Sequence, residues 1–146
     1  MRKTISILIV FWLAGEAFAD DSAWLSSVPQ AMAQARRENK LILLDFTGSD
    51  WCGWCKKLDA DTFSKPEFID WAKMNLVLVQ VDFPAQKKLA ADLVKANDAL
   101  KTKYKITGYP TLIVLKSDGT VVWNQVGYME GGPAAVIAKL NEAKKK

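Results

Sequence analysis

Hydrophobic residues of this chain are concentrated in a few runs that are separated by polar turns. Residues 41–46 and 76–82 are apolar along most of their length, a pattern typical of central parallel strands covered on both faces. Residues 111–115 and 120–126 are two further β-rich runs. The pair Asp118-Gly119 between them is a strong signal for a tight hairpin turn. The chain is therefore predicted to contain four strands, the last two of which form a hairpin.

Helices are predicted on both sides of the first strand. One covers residues 28–38, where the serine pair ending at Ser27 can cap the first turn and proline is tolerated just inside it. Another begins at the cysteines near residue 52. Pro66 interrupts this second helix, because proline lacks a backbone N–H and clashes with the preceding turn. The helix is predicted to resume over residues 67–73.

Two more helices complete the predicted order of elements. A long one covers residues 85–104, and the last begins at Gly131-Gly132-Pro133 and ends near residue 144. Three leucines of the long helix are candidate core contacts: Leu89, Leu93 and Leu100. The order α, β, α, β, α, β, β, α predicts an α/β fold, in which a central mixed β-sheet is flanked by helices on both faces.

The first 19 residues have the features of a secretory signal peptide. Arg2 and Lys3 give a positive start, residues 5–14 are apolar, and Ala17-Phe18-Ala19 places small residues at a cleavage point. We therefore expect residues 1–19 to be removed and residues 20–146 to fold as one domain in the periplasm or outside the cell. The alternative is a retained membrane anchor, but the apolar stretch is shorter than the roughly 20 residues of a spanning helix.

Composition excludes several classes of function. The 146 residues include no histidine, which removes Ser-His-Asp triads and histidine metal ligands. With 20 basic and 16 acidic residues, the net charge of +4 is too mild to indicate nucleic-acid binding, and we expect no nucleic-acid partner.

The two cysteines lie in the run Trp51-Cys52-Gly53-Trp54-Cys55, directly after the first predicted strand. Their spacing allows a disulfide across the first turn of a helix, and a strand leading into such a pair is typical of redox motifs. Unpaired N–H groups at the helix start favour the thiolate of the first cysteine. One alternative is a structural disulfide, which would remove little unfolded-state entropy from so short a loop. Another is metal binding: zinc would need more ligands, whereas two-coordinate copper(I) stays open.

From about residue 40 to its end, the chain resembles the thioredoxin superfamily. Four features occur in the superfamily's order: a strand containing Asp45, the Cys-x-x-Cys pair, the run Gly108-Tyr109-Pro110-Thr111, and Val126-Gly127 before the last helix. The run from Asp50 to Leu58 is similar to the periplasmic C-terminal domain of the membrane thiol–disulfide interchange reductase and to small secreted thioredoxin-like proteins. The resemblance implies a thioredoxin-like fold.

The resemblance and the helix-start position together assign roles to the candidate catalytic residues. Cys52 is expected to be exposed and to attack first, whereas the shielded Cys55 resolves the mixed disulfide. Asp45 resembles the buried acid that could accept a proton from Cys55, its pKa raised by burial. The alternative for Asp45 is an ordinary strand-end aspartate, in which case Asp50 is the fallback acid.

The resemblance also indicates four substrate-binding residues. Pro110 is expected to be cis and to face the disulfide, with the alternative of a trans proline that opens a strand. Tyr109 would then present its backbone N–H and C=O to an extended substrate. Trp51 is expected to pack on the core. Trp54 is expected to be exposed, where it either contacts a partner or shields Cys55.

Three features depart from the thioredoxin pattern. The residues between the cysteines are Gly-Trp rather than Gly-Pro, and Asp45 lies seven residues before Cys52, one more than in thioredoxin. Leu78 occupies the position at which thioredoxins commonly carry a lysine near the buried acid. The stretch from residue 82 to residue 110 is longer than in thioredoxin, which indicates an insertion around residues 84–97.

These features predict a thiol–disulfide oxidoreductase that acts on protein disulfides as a monomer, with no metal and no cofactor beyond its cysteine pair. The reducing direction is favoured, because no histidine or arginine between Cys52 and Cys55 strongly stabilises the thiolate. A reductase in an oxidising compartment implies a membrane-embedded electron donor. The alternatives are a disulfide oxidase or isomerase, and a non-catalytic module that binds peptides at Tyr109-Pro110 or carries copper.

Overall fold

The computed structural model of the protein describes residues 23–146. The predicted signal peptide, residues 1–19, lies outside the described residues, as do the first residues of the predicted mature chain. Within the described part of the chain, no helix combines the length and the apolar character needed to cross a membrane. The fold described below is that of residues 23–146.

The centre of the fold is a five-stranded mixed sheet with the strand order β1-β3-β2-β4-β5. These strands are β1 (Trp24–Leu25), β2 (Leu41–Thr47), β3 (Leu76–Asp82), β4 (Thr111–Leu115) and β5 (Val121–Val126). Strand β3 is parallel to both β1 and β2, whereas β4 is antiparallel to both β2 and β5. The predicted mixed sheet and the predicted hairpin are both confirmed. The sequence prediction missed β1, because a two-residue strand carries no periodic pattern.

Five α-helices and one π-helical segment surround the sheet. They are α1 (Val28–Glu38), α2 (Gly53–Leu58), the π segment (Asp59–Phe63), α3 (Pro66–Asn75), α4 (Ala91–Lys103) and α5 (Gly132–Ala143). Pro66 is the first residue of α3, where its missing N–H costs nothing. The chain before Pro66 widens into the π segment, which the sequence prediction did not include.

Two hydrophobic clusters fill the two faces of the sheet. Successive residues of β2 point to opposite faces, so Leu43 belongs to one cluster and Leu44 to the other. The first cluster also takes in residues of α3 and α5, and the second takes in residues of α1. Full burial of each large apolar side chain stabilises the fold by about 1.5–3 kcal/mol. Helices therefore cover both faces, as predicted.

The predicted helix over residues 85–104 is wrong in its first part, because α4 begins only at Ala91. The carboxylate of Asp50 accepts hydrogen bonds from three successive backbone N–H groups, those of Ala85, Gln86 and Lys87. These contacts hold residues 85–87 outside any helix. All three leucines predicted as core contacts are half-buried. Leu100 packs against the second cluster, as predicted, whereas Leu89 and Leu93 belong to neither cluster.

Candidate redox site

The two cysteines lie where β2 ends and α2 begins. Cys52 is the N-cap residue of α2 and is joined to Cys55 by a disulfide, with 5.3 Å between the two Cα atoms. The Sγ atom of Cys52 accepts a hydrogen bond of 3.2 Å from the backbone N–H of Cys55. A helix leaves its first N–H groups without backbone partners, and here one of them is directed at the sulfur. Once the disulfide is reduced, the same N–H group can stabilise a thiolate on Cys52.

Both cysteines are buried, with 6% of each residue exposed. The prediction that Cys55 is shielded is confirmed. The prediction that Cys52 is exposed is wrong for this disulfide-bonded form. The backbone N–H of Cys52 donates a hydrogen bond to the Gly48 carbonyl, and its sulfur accepts one from the Cys55 N–H. Both groups of Cys52 are therefore paired within the protein. The exposed residues of the motif are instead Trp51, Gly53 and Trp54.

The loop before the cysteines is hydrogen-bonded to the last residue of β3 and to the chain that follows it. Ser49 donates through its backbone N–H and its hydroxyl to the carboxylate of Asp82, at 2.9 and 2.5 Å. The three backbone hydrogen bonds accepted by Asp50 lower the pKa of its carboxyl to about 2. Asp50 is therefore ionised near neutral pH and is a weaker proton acceptor than a carboxylate of ordinary pKa.

Trp51 lies across this loop rather than in the core. Its Nε1–H donates to the Phe83 carbonyl at 2.8 Å, and its ring meets that of Tyr109 edge to face, with 5.7 Å between the centroids. A Cβ atom on Gly48 would collide with the Trp51 indole, so glycine permits this close approach. Trp51 stays 51% exposed, which contradicts the predicted packing on the core.

Asp45 lies on β2 with only 7% of the residue exposed. Its Oδ1 atom is buried and has no hydrogen-bond partner among the described residues. Burial, together with the negative charges of Asp59 and Asp82, raises the pKa of Asp45 to about 7. At that pKa the carboxyl group can both accept and release a proton near neutral pH.

A polar cavity of about 220 Å³ connects Asp45 with Cys55. Two polar residues that line it, Asp59 and Gln80, were not identified as site residues from the sequence. Asp59 follows Cys55 by one helical turn, so its spacing alone could have indicated a place near the sulfur. Gln80 pairs directly with Asp45 in the parallel register, whereas Leu78 pairs with Leu43. The residue of β3 that pairs with Asp45 is therefore uncharged.

The peptide bond between Tyr109 and Pro110 is cis, as predicted. Pro110 is buried, and its carbonyl accepts a hydrogen bond of 2.8 Å from the Gly127 N–H. Among the described residues, neither the backbone N–H nor the C=O of Tyr109 pairs with another backbone group. These two groups can therefore pair with an extended peptide.

Trp54 is 59% exposed, as predicted, and packs on Tyr128, with 5.4 Å between the ring centroids. The Tyr128 hydroxyl donates to the Asp61 carboxylate at 2.8 Å, and Lys57 forms an ion pair of 2.6 Å with the same carboxylate. Tyr128 was absent from the sequence-based site, although it directly follows the Val126-Gly127 pair. It extends the aromatic surface beside the cysteines.

Comparison with known proteins agrees with this geometry. Residues 28–144 match the family model described as a thioredoxin-like domain. Disulfide bond reductase DsbH of Chlamydia pneumoniae is 35% identical over 119 residues, covering 82% of this chain and 71% of that protein. A solved DsbH oxidoreductase aligns with a TM-score of 0.78 and 34% identity, covering 84% of this chain and 83% of that chain.

A second solved structure, the reduced C-terminal domain of DsbD from Neisseria meningitidis, aligns with a TM-score of 0.60 and 28% identity. The alignment covers 79% of this chain and 92% of that domain. The family match, the mixed sheet and the buried cysteine pair at a helix start all lead to the same assignment. The chain belongs to the thioredoxin-like domain family, as a thiol–disulfide oxidoreductase of the Dsb and thioredoxin type with Cys52 and Cys55 as its cysteine pair.

Proposed function

We propose that this protein reduces disulfide bonds of protein substrates outside the cytoplasm. The supporting observation is the surroundings of the Cys52 sulfur. Among the described residues, its hydrogen bond comes from the backbone N–H of Cys55, and no lysine or arginine side chain donates to it. Strong oxidants owe their potential to a strongly stabilised reduced form, and this thiolate has only modest stabilisation. The name of DsbH, a disulfide bond reductase, agrees with this direction.

The proposed reaction transfers two electrons from the cysteine pair to the substrate. The Cys52 thiolate attacks one sulfur of the substrate disulfide, which breaks that bond, forms a mixed disulfide and releases the first substrate thiolate. Cys55 then loses its proton and attacks the Cys52 sulfur. The Cys52–Cys55 disulfide forms, the mixed disulfide breaks, and the second substrate thiolate leaves.

Asp45 is proposed to take the proton from Cys55 during the second attack. The shared cavity and the pKa of about 7 support this role, because the ionised fraction of Asp45 is substantial near neutral pH. The cavity has room for several water molecules, each of which takes about 30 Å³ in the liquid. The proton can therefore leave Asp45 along the polar lining of the cavity rather than through the hydrophobic core.

Substrate binding is proposed at the surface formed by Trp51, Trp54, Tyr109 and Pro110. The unpaired backbone groups of Tyr109 support antiparallel pairing with an extended substrate segment. The two exposed tryptophans, one before Cys52 and one between the cysteines, supply apolar area beside the pair. Backbone pairing would fix the orientation of the substrate, and the tryptophans would contribute affinity.

Turnover needs a partner that returns electrons to the oxidised pair. We propose a membrane-associated donor of the DsbD type, in line with the resemblance to the DsbD C-terminal domain. We also propose export of the chain through residues 1–19, cleavage after Ala19, and function as a monomer. N-terminal sequencing of the exported protein tests the cleavage site.

The redox potential tests the proposed direction. Equilibration with glutathione buffers, with both forms quantified by thiol alkylation, should give a value nearer the −270 mV of thioredoxin than the roughly −120 mV of a strong oxidant. The reduced protein should also reduce the disulfides of insulin. A potential above about −180 mV would assign the protein to oxidases or isomerases instead. No insulin reduction despite a low potential would point to a peptide-binding or copper-carrying module.

A further inference from the structure

An open groove lies beside the cysteine pair. It has a volume of about 450 Å³ and is lined by Trp54, Tyr109, Gly127, Tyr128 and Glu130. Trp54 stands between the two cysteines in the sequence, and Tyr109 precedes the cis proline. A substrate segment that pairs with Tyr109 would therefore place a residue close to its attacked cysteine in this groove.

The groove combines aromatic faces with one charged group. Three of its five lining residues are aromatic, and Glu130 is the only charged one among them. Glu130 is exposed, and its carboxylate has no hydrogen-bond or ion-pair partner within residues 23–146. Nothing in the described part of the chain neutralises it.

The backbone after Glu130 makes a turn that requires glycine at two successive positions. Gly131 and Gly132 both have positive φ values, +97° and +61°, which residues other than glycine rarely adopt. A Cβ atom on Gly131 would lie 2.7 Å from the Cβ of Ala135. This turn leads directly into α5, and its conformation places Glu130 at the rim of the groove.

Two lysines lie close to the groove without lining it. Lys57 lies 5.3 Å from the centre of the Tyr128 ring, and its charge is balanced by Asp61. Lys57 and Tyr128 lower the pKa of Asp61, which therefore stays ionised. Lys101 lies 5.7 Å from the centre of the Tyr109 ring and also contacts Phe83. Within the groove itself the unbalanced charge is that of Glu130.

We infer that this groove is a subsite for a basic side chain, arginine above all, next to the attacked cysteine of the substrate. The inference rests on the proposed disulfide-reductase function and specifies its substrates. A guanidinium group can stack on the exposed ring of Trp54 while donating two hydrogen bonds to the Glu130 carboxylate. An acidic residue would be repelled there. An apolar residue would cover the carboxylate without supplying a hydrogen-bond donor.

Reduction of matched peptides tests this subsite. Three short peptides, each closed by one disulfide, carry arginine, glutamine or glutamate on both sides of one cysteine. The pre-reduced protein is mixed with each peptide in excess, and its oxidation is followed by acid quenching and separation. The second-order rate constant should be roughly three- to tenfold higher for the arginine peptide than for the glutamine peptide, from one exposed ion pair and one cation–π contact.

Variants at Glu130 decide whether the preference arises in the groove. Glu130→Gln should lower the arginine-to-glutamine ratio by roughly two- to threefold, the share of one exposed ion pair. Glu130→Lys should turn the preference toward the glutamate peptide. Glu67→Gln removes an exposed carboxylate that does not line the groove, and should leave the ratio unchanged.

The outcomes separate this inference from the function on which it rests. If the wild type reduces all three peptides at equal rates, or if Glu130→Gln keeps the full ratio, the subsite is refuted while the reductase function stands. If Glu67→Gln changes the ratio as much as Glu130→Gln does, the preference comes from overall charge and the subsite is again refuted. If no peptide is reduced, the proposed function itself fails.

Discussion

Asp45 and Cys55 line the same cavity, although Asp45 lies on β2 and Cys55 lies in the first turn of α2. The arrangement brings an acid with a raised pKa close to the sulfur proposed to resolve the mixed disulfide. The acid is also unpaired, since its Oδ1 atom has no hydrogen-bond partner among residues 23–146. A buried polar group without a partner costs stability, and such groups are often retained for function.

The raised pKa predicts that Asp45 destabilises the fold at high pH. The folded state holds the proton of Asp45 up to about pH 7, whereas the unfolded chain releases it near pH 3.8. The free energy of unfolding should therefore decrease as the pH rises from about 4 to 7, and stay low above that range. Asp45→Asn should remove this dependence and stabilise the oxidised protein at pH 8 by up to about 4 kcal/mol. Urea unfolding of both proteins between pH 4 and 8 measures the effect, and parallel curves would contradict it.

Asp59 should tune the acidity of Asp45. Its negative charge is the largest single-residue contribution that raises the pKa of Asp45, after burial. Asp59→Asn should therefore lower that pKa, whereas Asp70→Asn, at an exposed position on α3, should leave it unchanged. NMR titration of the Asp45 carboxyl carbon in the oxidised protein measures the shift. An unchanged pKa in Asp59→Asn would show that burial alone accounts for the value.

The central strands and the cysteine site could be predicted from the sequence because their signals are local. Strands β2 and β3 are buried on both faces and so read as continuous apolar runs. A strand followed by Cys-x-x-Cys indicated where Cys52 and Cys55 lie, and the resemblance indicated the cis bond before Pro110.

The features that the sequence did not predict depend on contacts between distant residues. The prediction of a helix over residues 85–90 was wrong because the carboxylate of Asp50, 35 residues before Ala85, accepts hydrogen bonds from the backbone N–H groups of residues 85–87. The burial of Cys52 depends on the Gly48 carbonyl and on the way the helix start closes over the sulfur. The groove at Glu130 is formed where the cysteine helix, the residue before Pro110 and the connection between β5 and α5 come together, and no local sequence pattern indicates that these segments are neighbours.

The two cysteines are expected to have different chemical roles. In the reduced protein, the Cys52 thiol should titrate below the value of about 8.5 of a free cysteine, because the Cys55 N–H can stabilise its thiolate. Cys55→Ser should accumulate mixed disulfides with substrates, and Cys52→Ser should not. Mass spectrometry after acid trapping detects these adducts. Faster alkylation of Cys55 than of Cys52 in the reduced wild type would reverse the assignment.

The Asp50 carboxylate should stabilise the active-site loop in a pH-dependent way. Its pKa of about 2 in the folded state lies below the ordinary value of 3.8, because three backbone N–H groups donate to the ionised form. A lowered pKa means that the contribution is fully present above about pH 4 and is lost as the pH falls toward 2. Asp50→Asn should remove much of this contribution and speed hydrogen exchange at the amides of Ala85, Gln86 and Lys87, which donate to the carboxylate.

Asp50 is close to the cysteines in the chain, since only Trp51 separates it from Cys52. The indole N–H of Trp51 donates a hydrogen bond to the Phe83 carbonyl, so the two neighbouring residues both contact the chain after β3. Asp50→Asn should therefore also slow the reaction of Cys52 with substrate disulfides, by less than the replacement of a cysteine would. Asp70→Asn serves as the control, since Asp70 has no hydrogen bond or ion pair among the described residues. If the amides of residues 85–87 exchange at the same rate in Asp50→Asn and in the wild type, other contacts hold this segment and the stabilising role of Asp50 is refuted.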